Sequence, residues 1–253
     1  MSQQLLLVDR GNSGVKWLLL STDEAPRRGA GVDHLPASTS ETSAIPAIIA
    51  SVADEERNEV LCAQLADRGY RPWLAKTPAA LGGLSNSYRE PERMGVDRWL
   101  AMLAARHRYP GRLCVVDAGS ALTIDFVDAH GNHEGGFIIP GAALMQRALF
   151  SDTDRVRFDL DTEASLAPGQ STAEAVSNGL LLAQAGAIKL ALANAQAAGD
   201  APKLFLCGGG AQVLRMAITE SAVLVEGLVF EGLLLQATLQ NVVEDHWPGH
   251  LAV

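Results

Sequence analysis

Residues 5–19 have the sequence LLLVDRGNSGVKWLL, in which an apolar run ends in Asp9, a turn of small residues follows, and a second apolar run begins after Lys16. Two apolar runs of strand length joined by a glycine-containing turn predict a β-hairpin. Small residues directly after a carboxylate also let backbone N–H groups approach an anion closely. The stretch therefore has two interpretations, a plain hairpin turn or a phosphate cradle, and alone it does not decide between them.

The same pattern returns at residues 113–127, LCVVDAGSALTIDFV, where Asp117 takes the position of Asp9. Each copy has an apolar strand, Asp-x-Gly followed by Asn or Ser, and a second apolar strand. The two Asp residues are 108 positions apart, a spacing too long for a solenoid repeat. The echo indicates a duplicated domain in which each half contributes one Asp turn to a shared cleft.

Strand and helix patterns alternate along the rest of the chain, which predicts an α/β class. Helices are predicted over residues 96–109, 142–150, 171–198, 211–219 and 228–239. Further strands are predicted over residues 71–75, 136–139, 203–207 and 222–225. Residues 45–53 are predicted to be helical, 59–62 to form a short strand, and the polar segment 151–170 to be a surface loop.

The composition is that of a globular and acidic protein. Of 253 residues, 48% are hydrophobic and 19% are charged, which supplies a core and argues against disorder. The net charge is −9 and the isoelectric point is near 5.1, so no general field draws in nucleic acid or an anionic membrane. We expect neither partner, and phosphate binding must rely on local N–H groups, a few cationic side chains and a metal ion.

Three cysteines, Cys62, Cys114 and Cys207, lie in or at the end of apolar stretches, and none forms a CxxC pair. This pattern predicts reduced, buried thiols and a cytoplasmic location. No basic region followed by an apolar run begins the chain, so no signal peptide is expected. The apolar stretch 179–193 is too short to span a bilayer and is predicted to be a buried helix, with a subunit interface as an open alternative.

The polar cluster that most strongly suggests a ligand site lies at residues 86–99, NSYREPERMGVDRW, where a loop passes into the first turn of a helix. Gly95 ends the loop, and Asp97 falls in the first helical turn, where the helix dipole favours an anion. Asp97 is therefore either a plain helix cap or a carboxylate facing a ligand. Arg98 either lies on the surface or reaches a ligand carboxylate, and Tyr88 supplies a donor hydroxyl. Loops of this kind line substrate pockets.

Other motifs are weaker or absent. The stretch CGGGA at residues 207–211 follows a strand and begins a helix, so it is either a tight turn or a place where helix amides meet a nucleotide. Lys16 is either an exposed strand lysine or a charge facing phosphates. The patterns GxxxxGK[ST], GxGxxG, HExxH and GxSxG do not occur. Zinc hydrolase and serine hydrolase chemistries therefore have no support.

Taken together, the stretches resemble the type III pantothenate kinases, a family of the acetate and sugar kinase, Hsp70 and actin superfamily. The resemblance spans residues 5–239 and rests on DRGNSGVK (9–16), GVDRW (95–99), DAGSALTIDFVDAHGNHEGGFIIPGAALMQRAL (117–149), STAEAVSNG (171–179) and EGLVFEGL (226–233). It implies an α/β fold with a duplicated ribonuclease-H-like (actin-like ATPase) architecture. The two halves, residues 1–110 and 111–253, would enclose an ATP cleft.

The resemblance also implies an activity. It is the ATP-dependent phosphorylation of pantothenate to 4′-phosphopantothenate, the first step of coenzyme A biosynthesis. Mg²⁺ and a monovalent cation, K⁺ or NH₄⁺, are the implied ions, and a cytoplasmic homodimer is the implied assembly. Two alternatives stay open: a sugar-type kinase of the same superfamily, and a non-catalytic accessory or regulatory protein of transcription with this fold.

Residue roles follow from the matched positions of the resemblance. Asp97 is the implied catalytic base and Asp117 the implied ligand of the monovalent cation. The implied pantothenate-binding residues are Tyr88, Gly95, Val96, Asp97, Arg98 and Thr172. The implied ATP-binding residues are Asp9, Arg10, Gly11, Asn12, Ser13, Gly14, Val15, Lys16 and Ser120, with Asp9 on the metal side. Family members usually carry Thr at positions 13 and 120, and Asp at position 210, where this chain has Gly210. The replacement of this Asp by Gly210 is expected to affect the affinity for the adenosine part of ATP rather than the chemistry.

Overall fold

The computed structural model describes residues 3–38, 44–151, 164–218 and 221–247, and the predicted surface loop at 151–170 lies mostly outside these residues. In chain order the elements are β1 (Gln4–Gly11), β2 (Gly14–Ser21), β3 (Arg27–Ala30), β4 (Ile45–Ser51), α1 (Glu55–Asp67), β5 (Tyr70–Leu74), β6 (Ala80–Leu81), β7 (Leu84–Ser85), α2 (Val96–Arg108), β8 (Leu113–Ala118), β9 (Ala121–Val127), β10 (His133–Pro140), α3 (Ala142–Ser151), α4 (Thr172–Ala198), β11 (Lys203–Cys207), α5 (Ala211–Ala217), β12 (Ala222–Leu224) and α6 (Leu228–Leu239). Two single turns of 3₁₀ helix lie at Val32–His34 and Pro91–Arg93.

The chain divides into two compact units. Unit 1 joins Met1–Arg108 with Gly227–Val253, and unit 2 comprises Tyr109–Glu226. These units differ from the predicted halves, 1–110 and 111–253, because α6 packs on α2 and against β1 and β4. The C-terminal helix of the described chain therefore completes the unit that the N-terminus begins.

Each unit contains a five-stranded sheet of the same design. The strand order is β3-β2-β1-β4-β5 in unit 1 and β10-β9-β8-β11-β12 in unit 2. The first three strands of each unit are antiparallel neighbours, and the last two run parallel to the first strand. The repeated order confirms the α/β class and the duplication predicted from the two Asp stretches.

The unit 1 sheet is covered by helices on both faces. The central run Leu5–Val8 of β1 is fully buried, as expected of a strand with no solvent-facing side. Leu6 and Val8 pack with Leu61 and Leu65 of α1 in one apolar cluster. Because side chains alternate along a strand, Leu5 and Leu7 point to the other face, where α6 packs against β1.

Two predictions in unit 1 are wrong. Most of the predicted helix 45–53 is strand β4 (Ile45–Ser51), since Ile45 and residues 47–50 are buried between β1 and β5. Residues 59–62 belong to α1 rather than to a strand. Asp54 precedes that helix as its N-cap: its Oδ1 accepts a hydrogen bond of 2.9 Å from the Arg57 N–H.

Helices α2 and α6 approach each other closely at Gly232. A Cβ atom at Gly232 would overlap the backbone carbonyl of Leu100 in α2. Glycine here is required by the helix contact rather than by backbone conformation, since Gly232 has an ordinary negative φ. The close approach fixes the distance between the two helices.

We expect Gly232→Ala to lower the free energy of unfolding by about 3 kcal/mol, because the added methyl must push α6 away from α2. Urea denaturation measures the loss. Gly186→Ala in α4 is the matched control, since a Cβ there meets nothing within 4 Å. That variant should be stabilised by up to about 1 kcal/mol through helix propensity. Equal effects of the two substitutions would contradict the close-contact explanation.

Helix α4 forms the core of unit 2, and only one of its faces is buried. Leu181, Ala185 and Ile188 pack with residues of β8 and β9 in one apolar cluster, while Leu182 and Leu190 are 58% and 64% exposed. The prediction of a buried helix is thus correct for one face. By length and composition α4 is the one helix of the described residues that could cross a membrane, but helices of protein cores meet the same criteria.

The polar residues at the start of α4 cap the helix. Ser171 Oγ accepts from the Glu174 N–H at 3.2 Å, and the Glu174 carboxylate accepts from the Gln170 N–H at 2.7 Å rather than from Ser171. No disulfide joins the three cysteines; Cys114 and Cys207 are buried as predicted, and Cys62 is half-buried.

Candidate active site

The first Asp stretch is a hairpin with an open tip. Across β1 and β2, Asp9 pairs with Lys16, and Gly11 pairs with Gly14, which leaves Asn12 and Ser13 at the turn. Residues 11–14 are exposed, and a Cβ at Gly11 or Gly14 would meet nothing within 4 Å. The predicted β-hairpin is therefore confirmed. The free space beside both glycines also leaves the backbone of the turn accessible to an anion.

Arg10 and Val15 pair between Asp9–Lys16 and Gly11–Gly14, and both residues contact the rest of unit 1. The Arg10 guanidinium donates at 3.2 Å to the carbonyl of Arg57 in α1, and the Arg10 carbonyl accepts from the Val52 N–H at 3.2 Å. Val15 is buried in the core of unit 1. These two residues hold the base of the hairpin.

Asp9 is a half-buried carboxyl group with an altered acidity. Burial raises the pKa of Asp9 from its usual 3.8 to about 6, the nearby Asp97 carboxylate adds to the rise, and Lys16 opposes it. The structure thus brings together Asp9, Asp97 and Lys16, which the sequence places up to 88 positions apart. The carboxylates of Asp9 and Asp97 could bind a metal ion, and the exposed glycine turn next to Asp9 could bind the phosphate that the metal ion accompanies.

Asp97 lies in the first turn of α2 and is held against Gly95. Its Oδ1 accepts from the Arg98 N–H at 2.8 Å. A Cβ at Gly95 would lie 2.6 Å from the same oxygen. The carboxylate therefore folds back over Gly95 at the helix N-terminus, where the dipole favours negative charge. Gly95 and Asp97 act as a pair, since the position of one requires the small size of the other.

If Asp97 is the catalytic base that the resemblance implies, Gly95→Ala should lower kcat between about tenfold and a hundredfold, because the methyl group displaces the Asp97 carboxylate and small misplacements of reacting groups are costly. The backbone at Gly95 has a negative φ that alanine adopts without strain, so the fold should be retained. Steady-state kinetics and thermal unfolding measure the two effects. A variant with unchanged kcat would contradict the role given to this contact.

Arg98 and Tyr88 form a preorganised polar pair. Arg98 Nη1 donates to Tyr88 Oη at 2.7 Å, and the guanidinium carbon lies 5.6 Å from the centre of the Tyr88 ring. Arg98 is only 6% exposed. The Tyr88 N–H donates to Asn86 Oδ1 at 2.9 Å, so the loop places Tyr88 and the helix places Arg98. Val96 beside them is buried.

Thr77 belongs to the same region and was not predicted. Its buried Oγ1 donates to the carbonyl of Met94 at 2.9 Å and fixes the chain directly before Gly95. No sequence signal marks Thr77 as a residue of this region. Its position becomes clear only once the loop is folded.

The second Asp stretch lies in unit 2 and is surrounded by glycines. Asp117 pairs with Thr123 and Cys207 on the neighbouring strands. A Cβ at Gly208, which has φ +85°, would overlap Asp117 Oδ1 and lie 2.6 Å from the carbonyl of Ala118. The GGG stretch is thus a tight turn that closes over Asp117. Within the described ranges no group of three or more His, Cys, Asp or Glu residues could hold a metal ion.

The remaining predicted residues of unit 2 are Ser120 and Thr172. Ser120 is exposed in the β8–β9 turn, and its carbonyl accepts from the Gly141 N–H at 3.0 Å at the start of α3. Thr172 is exposed in the first turn of α4. Gly210 precedes α5, and its N–H donates to the Ala118 carbonyl at 2.9 Å.

The fold and site together define a class of protein. The chain is similar to the crystal structure of a protein from Sinorhizobium meliloti assigned as a 2-dehydro-3-deoxygalactonokinase, with a TM-score of 0.55 and 18% identity over 96% of this chain and 99% of that one. A conserved protein from Campylobacter jejuni assigned to the Baf family of transcriptional activators gives a TM-score of 0.61 and 26% identity over 94% and 100%. The architecture is the duplicated ribonuclease-H-like fold of the actin-like ATPases and sugar kinases, as predicted.

Sequence comparison gives the family. The sequence model of the type III pantothenate kinases matches residues 5–194. Proteins named type III pantothenate kinase are 37% identical in Pseudomonas putida KT2440, over 93% of this chain and 99% of the relative, and 38% identical in Marinobacter nauticus, over 90% and 96%. The chain belongs to the type III pantothenate kinase family, which confirms the resemblance found in its motifs.

Proposed function

We propose that this protein transfers the γ-phosphoryl group of ATP to the primary hydroxyl of pantothenate and so forms 4′-phosphopantothenate, the first step of coenzyme A biosynthesis. Family membership supports this activity. The single observation that carries it is the first turn of α2, where Asp97 is held over Gly95 and Arg98 is bonded to Tyr88. A carboxylate and a guanidinium on adjacent residues match the hydroxyl and the carboxylate of one small substrate.

The residues at the start of α2 in unit 1 have two proposed roles, proton acceptance and substrate binding. Asp97 accepts the proton of the attacking hydroxyl, with its Oδ1 steadied by the Arg98 N–H. Arg98 and Tyr88 bind the carboxylate of pantothenate, and Gly95 and Val96 shape the adjoining wall. Since phosphoryl transfer depends on positioning and charge neutralisation, a rigid first turn of α2 is the main requirement. Thr172 is the proposed substrate contact of unit 2.

The open β1–β2 hairpin fits the phosphates of ATP. Residues 11–14 are exposed and have free space beside both glycines. Arg10 and Val15 hold its base, Lys16 supplies a cation, and Ser120 of unit 2 is the further proposed ATP contact. Asp9 fits the metal side, because a half-buried carboxyl group that resists ionisation gains from a nearby cation. Mg²⁺, when bound, supplies neutralisation of the phosphate charge.

Asp117 fits a monovalent cation, K⁺ or NH₄⁺. One carboxylate closed in by Gly208 and the Ala118 carbonyl offers oxygen donors but a single negative charge. Divalent ions favour several carboxylates, and the described residues around Asp117 provide no such group. Asp117 thus holds one positive charge for the phosphate chemistry.

We further propose a cytoplasmic homodimer. Helices α3 and α4 line an apolar groove of about 640 Å³ in unit 2, whose walls include Leu144, Met145, Val176 and Leu180. Phe137 and Ile138 of the edge strand β10 are 53% and 63% exposed nearby in sequence. Apolar surface of this extent favours association with a second copy. Light scattering after size exclusion tests it, and Leu144→Glu should give a monomer if this surface is the interface.

A coupled ADP-release assay tests the proposed function. Turnover is expected with Mg-ATP and pantothenate, with strong dependence on K⁺ or NH₄⁺ and little activity on a panel of sugars. Asp117→Asn should remove most of the dependence on the monovalent cation. No turnover on pantothenate would overturn the activity, activity on a sugar would favour the sugar-type kinase, and indifference to both cations would overturn the role of Asp117.

A further inference from the structure

The C-terminal stretch EGLVFEGL (226–233) and the rest of α6 have no role in the site described above. Besides the half-buried Thr238, the helix has two polar side chains, Glu231 and Gln236, which are buried at 4% and 0% exposure. Both bond to α2. Glu231 receives two hydrogen bonds from Arg108 at the C-terminal end of α2, at 2.7 and 2.5 Å. Gln236 bonds near the other end, at Trp99.

The Gln236 amide connects two segments beside the site. Its Oε1 accepts from Trp99 Nε1 at 2.9 Å, and its Nε2 donates to the carbonyl of Lys76 at 2.8 Å. Trp99 is fully buried and follows Asp97 by two residues. Lys76 directly precedes Thr77, the residue that bonds Met94. The amide therefore joins both flanks of the chain that carries the base.

The geometry of a helix makes this contact sensitive. Successive residues of α2 are rotated by about 100° and rise about 1.5 Å, so Trp99 and Asp97 move as one rigid turn. Because the buried Trp99 indole is bonded to Gln236 Oε1, a rotation of the first turn of α2 about the helix axis would break this hydrogen bond. An apolar side chain of the same size would fill the volume but fix no rotation, and it would leave a buried donor and acceptor unpaired.

We propose that Gln236 is a positioning residue for the kinase reaction: by bonding Trp99 and the Lys76 carbonyl at once, it sets the rotation and axial position of the first turn of α2. It thereby aims Asp97 at the substrate hydroxyl and Arg98 at the substrate carboxylate. The inference rests on the proposed function, and it assigns α6 a part in catalysis without contact to substrate.

Gln236→Met tests the proposal, with Glu231→Gln as the matched control at the far end of the same helix contact. We expect Gln236→Met to lower kcat about tenfold and to raise the KM for pantothenate by a similar factor, with the KM for ATP within about twofold of wild type. Glu231→Gln should lower the Tm but leave kcat and both KM values within about twofold. Wild-type kinetics in Gln236→Met, or an equal kinetic loss in Glu231→Gln, would overturn the proposal.

Two further measurements keep the test decisive. Trp99→Phe removes the same hydrogen bond by deleting its donor, and it should also lower kcat and raise the KM for pantothenate while leaving the KM for ATP nearly unchanged. The double variant should lose no more than the single variants, and additive losses would overturn the inference. Hydrogen exchange of the amides in the first turn of α2 should accelerate in Gln236→Met and not in Glu231→Gln. That readout needs no turnover, so an inactive wild type would refute the proposed function, while unchanged exchange would refute the positioning role.

Discussion

Asp97→Asn is expected to lower kcat about a thousandfold while Mg-ATP and pantothenate still bind. The amide keeps the size and the hydrogen bond to the Arg98 N–H, but it does not accept the proton of the attacking hydroxyl. General base catalysis typically contributes about 10² to 10⁴ to the rate, and the rest of the site continues to position the reactants. The coupled ADP-release assay and calorimetric binding of pantothenate measure the two quantities.

The contrasting variant is Arg98→Lys, which keeps the charge but loses the planar contact with Tyr88. It should raise the KM for pantothenate at least tenfold and reduce kcat far less than Asp97→Asn does. Normal turnover by Asp97→Asn would remove the base from this position. A loss of pantothenate binding as large as the loss of kcat would reassign Asp97 to substrate binding.

The second large effect concerns Asp9 and pH. Because the pKa of Asp9 is about 6 in the folded protein, the group takes up a proton as pH falls below 6, and kcat/KM for Mg-ATP should fall about tenfold per pH unit there. Asp97 contributes to the raised pKa and Lys16 opposes it. Asp97→Asn should therefore move the midpoint of Mg-ATP binding to lower pH, and Lys16→Met should move it to higher pH.

The same pKa has an opposite consequence for stability. Between pH 3.8 and about 6 the folded protein holds a proton on Asp9 that the unfolded chain has released, so stability falls as pH rises through this window. With about 1.4 kcal/mol per pKa unit, the cost at pH 8 is about 2–3 kcal/mol. Asp9→Asn should recover most of it in the ligand-free protein and lose at least about a hundredfold in kcat/KM. A destabilised Asp9→Asn protein at pH 8 would contradict the raised pKa.

The sequence contained enough information for most strands, for α2 and α4, and for the duplication, since Asp9 and Asp117 mark equivalent turns in two sheets of one design. It failed at β4. Residues 45–51 are apolar on both faces because β4 lies between β1 and β5, and a continuous apolar run has no period that separates strand from helix. The run at 59–62 was too short to recognise as part of α1, although Asp54 followed by two glutamates was a helix-start signal.

The candidate site was predictable where local sequence carries the geometry. Gly95, Asp97 and Arg98 lie on one helix start, so their proximity follows from the chain itself. The burial of Asp9 and the approach of Asp97, which together raise the pKa of Asp9, depend on the tertiary fold and have no local signal. Gln236 had a partial signal, because an amide within the apolar run of α6 requires buried partners, but the identity of Trp99 and Lys76 as those partners required the fold.

The discontinuous make-up of unit 1 has a consequence for synthesis on the ribosome. Unit 2 ends at Glu226, so all of its residues have been joined before α6 begins at Leu228. Since synthesis runs from the N-terminus, the contact of Leu100 with Gly232 and the bond of Trp99 to Gln236 form only after all residues of unit 2 have been joined. The turn that carries Asp97, the proposed base, therefore gains its contacts with α6 late in synthesis, and a chain stopped after residue 226 would carry Asp97 on a helix whose partner has not been made.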